Sequence, residues 1–246
     1  MYKQGIFRIK SNHRLTSTVW EMVLEGDTHY IRRAGQFVEV ALPERYLRRP
    51  ISVCDFDDQS LTLVYKVVGG GTEQMSGLRR GAKLDLLTGL GNGFDTAPSG
   101  PSPLIVGGGV GVPPLYNLAK RLIAEGKEVT AVLGFNSEEE IFYAEQFDEL
   151  GAKVFIATAD GSCGVRGFVT DAIGKLHSKQ SYYYACGPMP MLTALCRSVD
   201  LDGQLSLEER MGCGFGVCMG CSIQTADGPK RVCTEGPVFD KKQLLW

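Results

Sequence analysis

From residue 103 onward, short apolar runs alternate with amphipathic helical patterns, and this alternation limits the fold more than any other feature of the chain. The run PLIVGGG is followed by PPLYNLAKRLIAEG, in which leucines recur at helical spacing. EVTAVLGF, KVFIATAD and SYYYACG are each followed by a helical pattern in the same way. Four apolar strands joined by helices predict right-handed crossovers and a doubly wound parallel sheet, covered on both faces.

The first hundred residues carry a different pattern. Six short segments rich in Val, Ile, Thr and aromatic residues are separated by Gly, Asp or Pro, which predicts an N-terminal antiparallel β-barrel. The six segments are GIFRIKSNH, STVWEMVLEG, GQFVEVALP, RPISVCDF, SLTLVYKVV and KLDLLTGL. One short helix interrupts the barrel, with Thr72 as the expected N-cap and Gly81 as the residue that ends it. The segment GFDTAPSGPSP is the densest in Pro, Gly and Ser and marks a domain boundary. The expected parts are a barrel domain over 1–97, a parallel α/β domain over 98–204 and a small C-terminal lobe over 205–246.

The C-terminal lobe is distinguished by cysteines that alternate with glycines in MGCGFGVCMGC, followed by one more in RVCTEGP. The spacing is C-x4-C-x2-C-x11-C, and its first three cysteines match the loop that holds a [2Fe-2S] cluster in plant-type ferredoxins. Each iron of such a cluster takes two protein thiolates, so four cysteines are required. The predicted ligands are Cys213, Cys218, Cys221 and Cys233. The alternative is a structural zinc site, where C-x2-C pairs with a longer spacer are more usual.

Glycines lie at three of the four predicted strand ends of the α/β domain, where open parallel sheets bind their ligands. GGGVGVPP also opens a helix, whose free amide groups suit a pyrophosphate, although Val112 replaces the last glycine of the strict dinucleotide fingerprint. A glycine turn that only packs tightly is the alternative. GFNSEEE contains acidic residues and no Arg or Lys, which favours NAD over NADP; the alternative is that Glu138–Glu140 form only the acidic first turn of a helix. The expected NAD-binding residues are Gly107, Gly108, Gly109, Gly111, Asp160, Gly187 and Pro188.

Two segments of the barrel carry residue types that bind phosphate. RRPIS supplies Arg49, a donor of fixed geometry, and the hydroxyl of Ser52. GGGT, which ends at Thr72, offers a second turn from glycine into a helix. Phosphate sites in two domains indicate two nucleotides. The alternatives are that Arg49 is a solvated surface charge and that Thr72 only caps its helix.

Composition excludes several classes of function. The formal net charge of -2, with basic residues scattered along the chain, gives no footprint for nucleic acid. No run reaches the eighteen or so apolar residues of a membrane span, and the first residues do not resemble a signal peptide. We therefore expect a cytoplasmic protein with no membrane partner. Eight cysteines in a reducing compartment indicate metal binding or redox chemistry.

These parts, in this order, resemble the ferredoxin-NADP reductase superfamily over roughly residues 5–200. EERMGCGFGVCMGC and RVCTEGPVF resemble the family of electron transfer subunits of type B dihydroorotate dehydrogenase, and that resemblance extends over essentially the whole chain. The resemblance implies that NAD binds in the glycine loop and beside CGP, and that the four cysteines hold the cluster. It also implies that Ser52 lies next to flavin N5 and Cys186 next to the nicotinamide, which makes these two residues the catalytic candidates. The implied FAD-binding residues are Arg49, Pro50, Ile51, Ser52, Tyr65, Lys66, Val67, Gly71 and Thr72.

The resemblance also implies a function, that of an NAD-linked flavin iron-sulfur oxidoreductase subunit in pyrimidine biosynthesis. Dihydroorotate reduces FMN in a separate dihydroorotate dehydrogenase catalytic subunit, and electrons then pass through the cluster and FAD to NAD. The implied assembly is a heterotetramer with two of each chain. The three histidines are scattered and no site for an organic substrate is visible, which favours a relay. The alternatives are the same relay in a transhydrogenase, sulfite reductase or hydrogenase complex, and a zinc-stabilised interaction module without flavin.

Overall fold

The computed structural model describes residues 2–246, and its N-terminal part is a closed barrel. Its elements are β1 (Lys3–Arg14), β2 (Val19–Glu25), β3 (Phe37–Val40), β4 (Arg49–Phe56), β5 (Ser60–Lys66), α1 (Gly70–Ser76) and β6 (Lys83–Leu90). The strand order is β1-β2-β5-β4-β3-β6, and every neighbouring pair is antiparallel. The predicted six-stranded barrel is therefore confirmed.

Alternation along the strands decides which barrel residues face the rest of the molecule. On β3, Val38 and Val40 join the core inside the barrel, whereas Phe37 packs outward against the α/β domain and the C-terminal lobe. Because side chains alternate along a strand, Glu39 lies on the same outer face as Phe37. The partner of Phe37 on β4 is Ser52, so this residue lies on the outer face too.

The second part is the predicted parallel α/β domain. Its elements are β7 (Pro103–Gly108), α2 (Tyr116–Ala124), β8 (Thr130–Phe135), α3 (Ala144–Glu149), β9 (Lys153–Thr158), β10 (Val165–Arg166), α4 (Val169–Ile173), β11 (Tyr182–Cys186), α5 (Met189–Ser198) and β12 (Gly203–Ser206). The four predicted apolar strands are β7, β8, β9 and β11, and they pair in parallel. Strands β10 and β12 extend the sheet at its two sides.

The C-terminal lobe is attached to this sheet. It contains the hairpin β13 (Ser222–Thr225) and β14 (Gly228–Arg231), followed by β15 (Val238–Asp240). The hairpin was predicted one residue late, because Thr225 pairs with Gly228 and leaves Ala226 and Asp227 as the turn. Strand β15 pairs antiparallel with β12, at the edge of a sheet with the order β10-β9-β8-β7-β11-β12-β15. The limit expected between 204 and 205 falls inside β12, and the domain limits stay a prediction.

Helix starts differ from the sequence prediction in two places. The N-cap of α1 is Gly69, and Thr72 is the third helical residue, with its hydroxyl accepting hydrogen bonds from the backbone N–H groups of Val68 and Gly69 at 3.0 and 3.3 Å. The helix ends at Ser76, well before Gly81. In the α/β domain, Glu138–Glu140 forms a short 3-10 turn separated from α3. The acidic residues therefore precede the helix instead of forming its first turn.

Polar contacts join the barrel to the α/β domain. Asp55 on β4 accepts a hydrogen bond from Asn117 at 2.5 Å and forms an ion pair with Lys120 at 2.9 Å, both on α2. The Tyr143 hydroxyl donates to Glu21 on β2 at 2.6 Å. These contacts hold β4 against α2, and β2 against the segment that precedes α3. None of the helices within residues 2–246 has both the length and the apolar composition that a bilayer crossing requires.

Candidate functional site

A cleft of about 550 Å³ lies where the barrel meets the carboxyl ends of β7, β8 and β11. Ser52 and Lys66 line it from the barrel. From the α/β domain it is lined by Gly108, Gly109 and Gly111, and by Cys186, Gly187 and Pro188. Residues predicted from three separate motifs thus come together in one cavity. Its size fits part of a dinucleotide with the reactive ring of a second cofactor.

The glycine loop at the end of β7 packs directly against the end of β11. A Cβ atom on Gly111 would overlap the backbone carbonyl of Cys186, so only glycine fits there. Gly107 lies within β7 against Val112 and does not line the cleft. The loop continues through two 3-10 turns, Gly109–Gly111 and Pro113–Leu115, before α2 begins. The predicted helix therefore follows the loop, but its first turns are 3-10 and it becomes α-helical only at Tyr116.

We expect the Gly111→Ala variant to bind NADH more weakly, because the added methyl group forces the glycine loop away from β11. Overpacking of this kind costs about 1–3 kcal/mol, which corresponds to a roughly 5- to 150-fold rise in KM for NADH if the strain is relieved in the cleft. The measurement is the rate of flavin reduction against NADH concentration. Gly77→Ala is the control, because its Cβ would lie 3.6 Å from the nearest backbone oxygen. An unchanged KM in Gly111→Ala would contradict the role of the loop.

Cys186 lines the cleft as a neutral thiol. Burial raises its pKa to about 12, and the hydroxyl of Ser206 offsets only part of that rise. Ser206 and Glu208 also line the cleft, and sequence reasoning missed both residues. They follow from the parallel pairing of β12 with β11, which brings the end of β12 to the same sheet edge. A thiol that stays protonated can pack against a nicotinamide without adding charge to the site.

Arg49 and Gly71, predicted from two separate motifs of the barrel, lie in contact. A Cβ on Gly71 would overlap the guanidinium of Arg49. The guanidinium donates to the carbonyl oxygens of Leu47 at 2.6 Å and Arg48 at 3.3 Å, so it is held beside the first turn of α1. The Thr72 hydroxyl also donates to the carbonyl of Gly69 at 3.1 Å and is buried within this turn.

Several predicted flavin-binding residues face the interior of the barrel with their side chains. The Tyr65 hydroxyl donates to the side-chain oxygen of Asn12 at 3.0 Å, and its ring belongs to the barrel core. Ile51 and Val67 pack against the same core. Only the backbone of these residues is available at the outer surface. Pro50 pairs with Glu39 across β3 and β4.

The acidic segment after β8 reaches the cleft through one residue. Glu140 lines it and accepts a hydrogen bond from Asn136 at 2.8 Å. Asp160 is exposed and does not line the cleft. Its carboxylate accepts hydrogen bonds from the hydroxyl and the backbone N–H of Ser162 at 2.6 and 3.0 Å, and these bonds lower its pKa. In this structure Asp160 therefore stabilises its own turn.

The four cysteines of the C-terminal lobe form two pairs. Cys213 and Cys218 are neighbours, and the backbone N–H of Cys218 donates to the Cys213 sulfur at 3.5 Å. The thiols of Cys221 and Cys233 lie together in the core of the lobe. No three Cys, His, Asp or Glu side chains within residues 2–246 lie close enough to share one metal ion. The pairing fits a [2Fe-2S] cluster, in which each iron takes two thiolates, better than a zinc ion that needs four ligands around one point.

Backbone amides of the loop are turned toward the Cys213 sulfur. Burial alone would raise the pKa of this thiol, but N–H groups of Cys218, Phe215 and Val217 outweigh burial and lower the pKa to about 6. Gly214 and Gly216 make this possible because both have positive φ angles, 76° and 92°. Arg231 supports the loop by donating to the carbonyl of Gly216 at 2.7 Å. The loop is thus preorganised for thiolates.

Glu39 is a buried carboxylate beside this loop, and sequence reasoning did not single it out. Its side chain is fully buried, and neither carboxylate oxygen has a hydrogen-bond partner within residues 2–246. Burial and, to a smaller extent, the nearby Cys213 raise its pKa to about 7, against the opposing effects of Arg48 and Arg49. Burying a carboxyl group without a hydrogen-bond partner costs free energy of folding, so the position of Glu39 requires a structural or functional reason.

Comparison with protein families finds matches to two parts of the chain. The family of the iron-sulfur cluster binding domain of dihydroorotate dehydrogenase B matches residues 208–245, and the oxidoreductase NAD-binding domain matches residues 105–197. The dihydroorotate dehydrogenase B (NAD(+)) electron transfer subunit of Shouchella clausii is 43% identical, over 99% of this chain and 98% of its own length. The Geobacillus protein of that name is 43% identical over the whole of both chains, and the Fusobacterium nucleatum protein is 40% identical over 94% of each.

Solved structures extend the similarity to the fold. The structure of an NADH-dependent reduced ferredoxin-NADP oxidoreductase, described for flavin-based electron bifurcation, matches with a TM-score of 0.89 and 29% identity, over 98% of this chain and 90% of that chain. A ferredoxin NADP+ reductase of Neisseria gonorrhoeae with bound FAD and NADP matches with a TM-score of 0.69 and 16% identity, over 80% of this chain and 90% of that chain. At this identity the second match shows the fold alone.

Proposed function

Since the chain belongs to the family of dihydroorotate dehydrogenase B electron transfer subunits, we propose that it carries electrons between NAD(H), FAD and a [2Fe-2S] cluster. The observation that carries the proposal is the shared cleft, in which the barrel residues Ser52 and Lys66 face the glycine loop and the Cys186–Pro188 segment. Bound FAD supplies the chemistry that joins a two-electron nicotinamide to a one-electron cluster. The chain's own residues have to bind and orient these groups.

The flavin side of the proposal uses Arg49, Gly71 and the outer face of β4. The guanidinium of Arg49 is held beside the glycine turn, where it can donate to a pyrophosphate while backbone N–H groups of the turn complete the site. Ser52 places its backbone and hydroxyl in the cleft. The side chains of Tyr65 and Ile51 fix the strands from inside the barrel, so that their backbones define the flavin surface.

The nicotinamide side uses the packed ends of β7 and β11. Gly108, Gly109 and Gly111 allow a dinucleotide to approach the backbone closely. Cys186, held as a neutral thiol, orients the nicotinamide ring and keeps water away from the face that meets Ser52. Gly107 and Asp160 do not line the cleft. In this proposal Gly107 shapes the glycine loop after β7, and Asp160 shapes the turn after β9.

The cluster side uses the pairs Cys213–Cys218 and Cys221–Cys233 as ligands of one iron each. Cys221 and Cys233 are buried against the barrel and the sheet, whereas Cys218 is exposed. Val217 and Met219 flank Cys218 and are 75% and 55% exposed. An apolar rim around an exposed cluster edge suits docking of a second redox protein. We place the partner there.

The partner in this proposal is an FMN-containing dihydroorotate dehydrogenase catalytic subunit, in a heterotetramer of two of each chain. The relatives of this chain are named as electron transfer subunits, and such a subunit requires a catalytic chain with which it exchanges electrons. None of the eight cysteines forms a disulfide, as in a compartment where thiols stay reduced, and we place the complex in the cytoplasm. Pyrimidine biosynthesis is the pathway that this activity serves.

Co-expression with such a catalytic chain tests the proposal. We expect the two chains to purify together with FMN, FAD, iron and sulfide, and to reduce NAD when dihydroorotate is supplied. The second candidate, the same relay in a ferredoxin-linked complex, is favoured only by the structural match at 29% identity. Reduced ferredoxin is therefore supplied as the other electron donor. Activity with ferredoxin but not with dihydroorotate would move this chain to the second function.

A further inference from the structure

Glu39 contacts the loop that is proposed to hold the cluster. A Cβ atom on Gly214 would lie 2.5 Å from one carboxylate oxygen of Glu39, so the glycine backbone lies directly against the carboxylate. Gly214 follows Cys213, a proposed ligand. On the other side Glu39 pairs across the barrel with Pro50, in the strand proposed to bind the flavin. The carboxylate therefore lies against the loop proposed to hold the cluster, on a strand that neighbours the one proposed to bind the flavin.

Neighbouring arginines do not form an ion pair with Glu39. Arg48 forms a two-point contact with Asp85, at 3.1 Å for each bond, and reaches only the backbone carbonyl of Glu39 at 3.3 Å. Arg49 donates to backbone carbonyls. Both guanidinium groups are thus occupied elsewhere. A negative charge on Glu39 is weakly screened because the side chain is removed from water.

We propose that Glu39 is a tuning residue whose negative charge lowers the reduction potential of the cluster. Cluster potentials depend on nearby charge, hydrogen bonds and exposure, and a buried anion opposes the arrival of an electron. A lower potential favours passage of the electron from the cluster to the flavin, the direction that NAD reduction needs. This inference rests on the proposed function, because it requires the cluster to be bound.

The test replaces Glu39 with Gln, which keeps the size of the side chain and removes the charge. The midpoint potential of the cluster is measured by a redox titration followed by electron paramagnetic resonance, in the complete protein loaded with its cofactors. The titration is run at pH 9, because an alkaline pH favours the charged form of a buried carboxyl group. We expect the ratio of reduced to oxidised cluster at a fixed potential to rise about tenfold, a shift of roughly 59 mV.

Two further variants make the result specific. Glu39→Asp keeps the charge, and we expect its potential to stay closer to wild type than that of Glu39→Gln. Glu25→Gln removes the same charge from an exposed position on the same barrel, where solvent and salt screen it, and should leave the potential unchanged. Iron and sulfide content are measured for each variant, so that cluster loading is known independently of the potential.

The outcomes separate this inference from the proposed function. A wild-type protein without iron and sulfide would overturn the proposed function, and this inference with it. A loaded Glu39→Gln variant whose potential is unchanged or lower would overturn the inference alone. Loss of the cluster from Glu39→Gln would make Glu39 a structural support of the loop and would overturn the tuning role as well. A raised potential in Glu39→Gln, with Glu25→Gln unchanged, supports it.

Discussion

We expect the Cys221→Ser variant to lose its cluster and still allow NADH to reduce FAD at close to the wild-type rate. Cys221 is 2% exposed and is paired with Cys233 in the core of the lobe, so no other cysteine can move into its place. A serine oxygen is a harder ligand than a thiolate and binds iron-sulfur clusters poorly. The nicotinamide and flavin residues line a cleft made by the barrel and the α/β domain, which this substitution does not touch.

Iron and sulfide analysis measures the loss of the cluster, and anaerobic stopped-flow absorbance measures flavin reduction. We expect iron to fall to less than about a tenth of the wild-type content because a full ligand is lost, and electron delivery from the catalytic subunit to stop. Cys163→Ser is the matched control, a half-buried cysteine of the α/β domain whose replacement should leave iron content unchanged. If flavin reduction disappeared together with the cluster, the separation of the two roles would be wrong.

The sequence predicts the limits of a strand correctly where its pattern of apolar residues ends at the same residue as its pairing in the sheet. The limits of β4, Arg49–Phe56, and β6, Lys83–Leu90, coincide with the predicted segments because alternating apolar residues end at turn residues. Strands β12 and β15 were not predicted. The segments GQLS and VFD are too short to show a period, and they become strands only by pairing with β11 and with each other. Pairing between distant segments leaves no local pattern.

The sequence predicts the motifs that form the candidate site better than it predicts how their residues are arranged in space. The glycine loop and the Cys186–Pro188 segment were found because close backbone approach requires glycine. Glu39 was missed because, on an alternating strand, an outward glutamate predicts a solvated residue. Its burial arises from the lobe that contains Gly214, far along the chain. The helix predicted after the loop is present, but its first part, which contains Pro113 and Pro114, is a 3-10 turn.

Replacing Arg49 with Ala should weaken FAD binding by about 10- to 150-fold, because a hydrogen bond to a charged group contributes about 1.5–3 kcal/mol. Arg49 is held by the carbonyls of Leu47 and Arg48 against Gly71, so it is preorganised to donate to a pyrophosphate. The measurements are the FAD content of the purified protein and the Kd for FAD by fluorescence quenching. Arg49→Lys keeps the charge without the planar fork and should be intermediate.

Arg8→Ala is the matched control for lost positive charge, since Arg8 is an exposed arginine on β1 of the same barrel. Its flavin content should equal that of the wild type. Undiminished flavin in Arg49→Ala would place the pyrophosphate elsewhere, and Arg45 is the next residue to test. Its guanidinium donates to the carbonyl of Gly70 at 3.2 Å and lines a second cavity of about 520 Å³ on that side of the turn. Both arginines contact the glycine turn, so comparing Arg45→Ala with Arg49→Ala decides which side of the turn holds the phosphates.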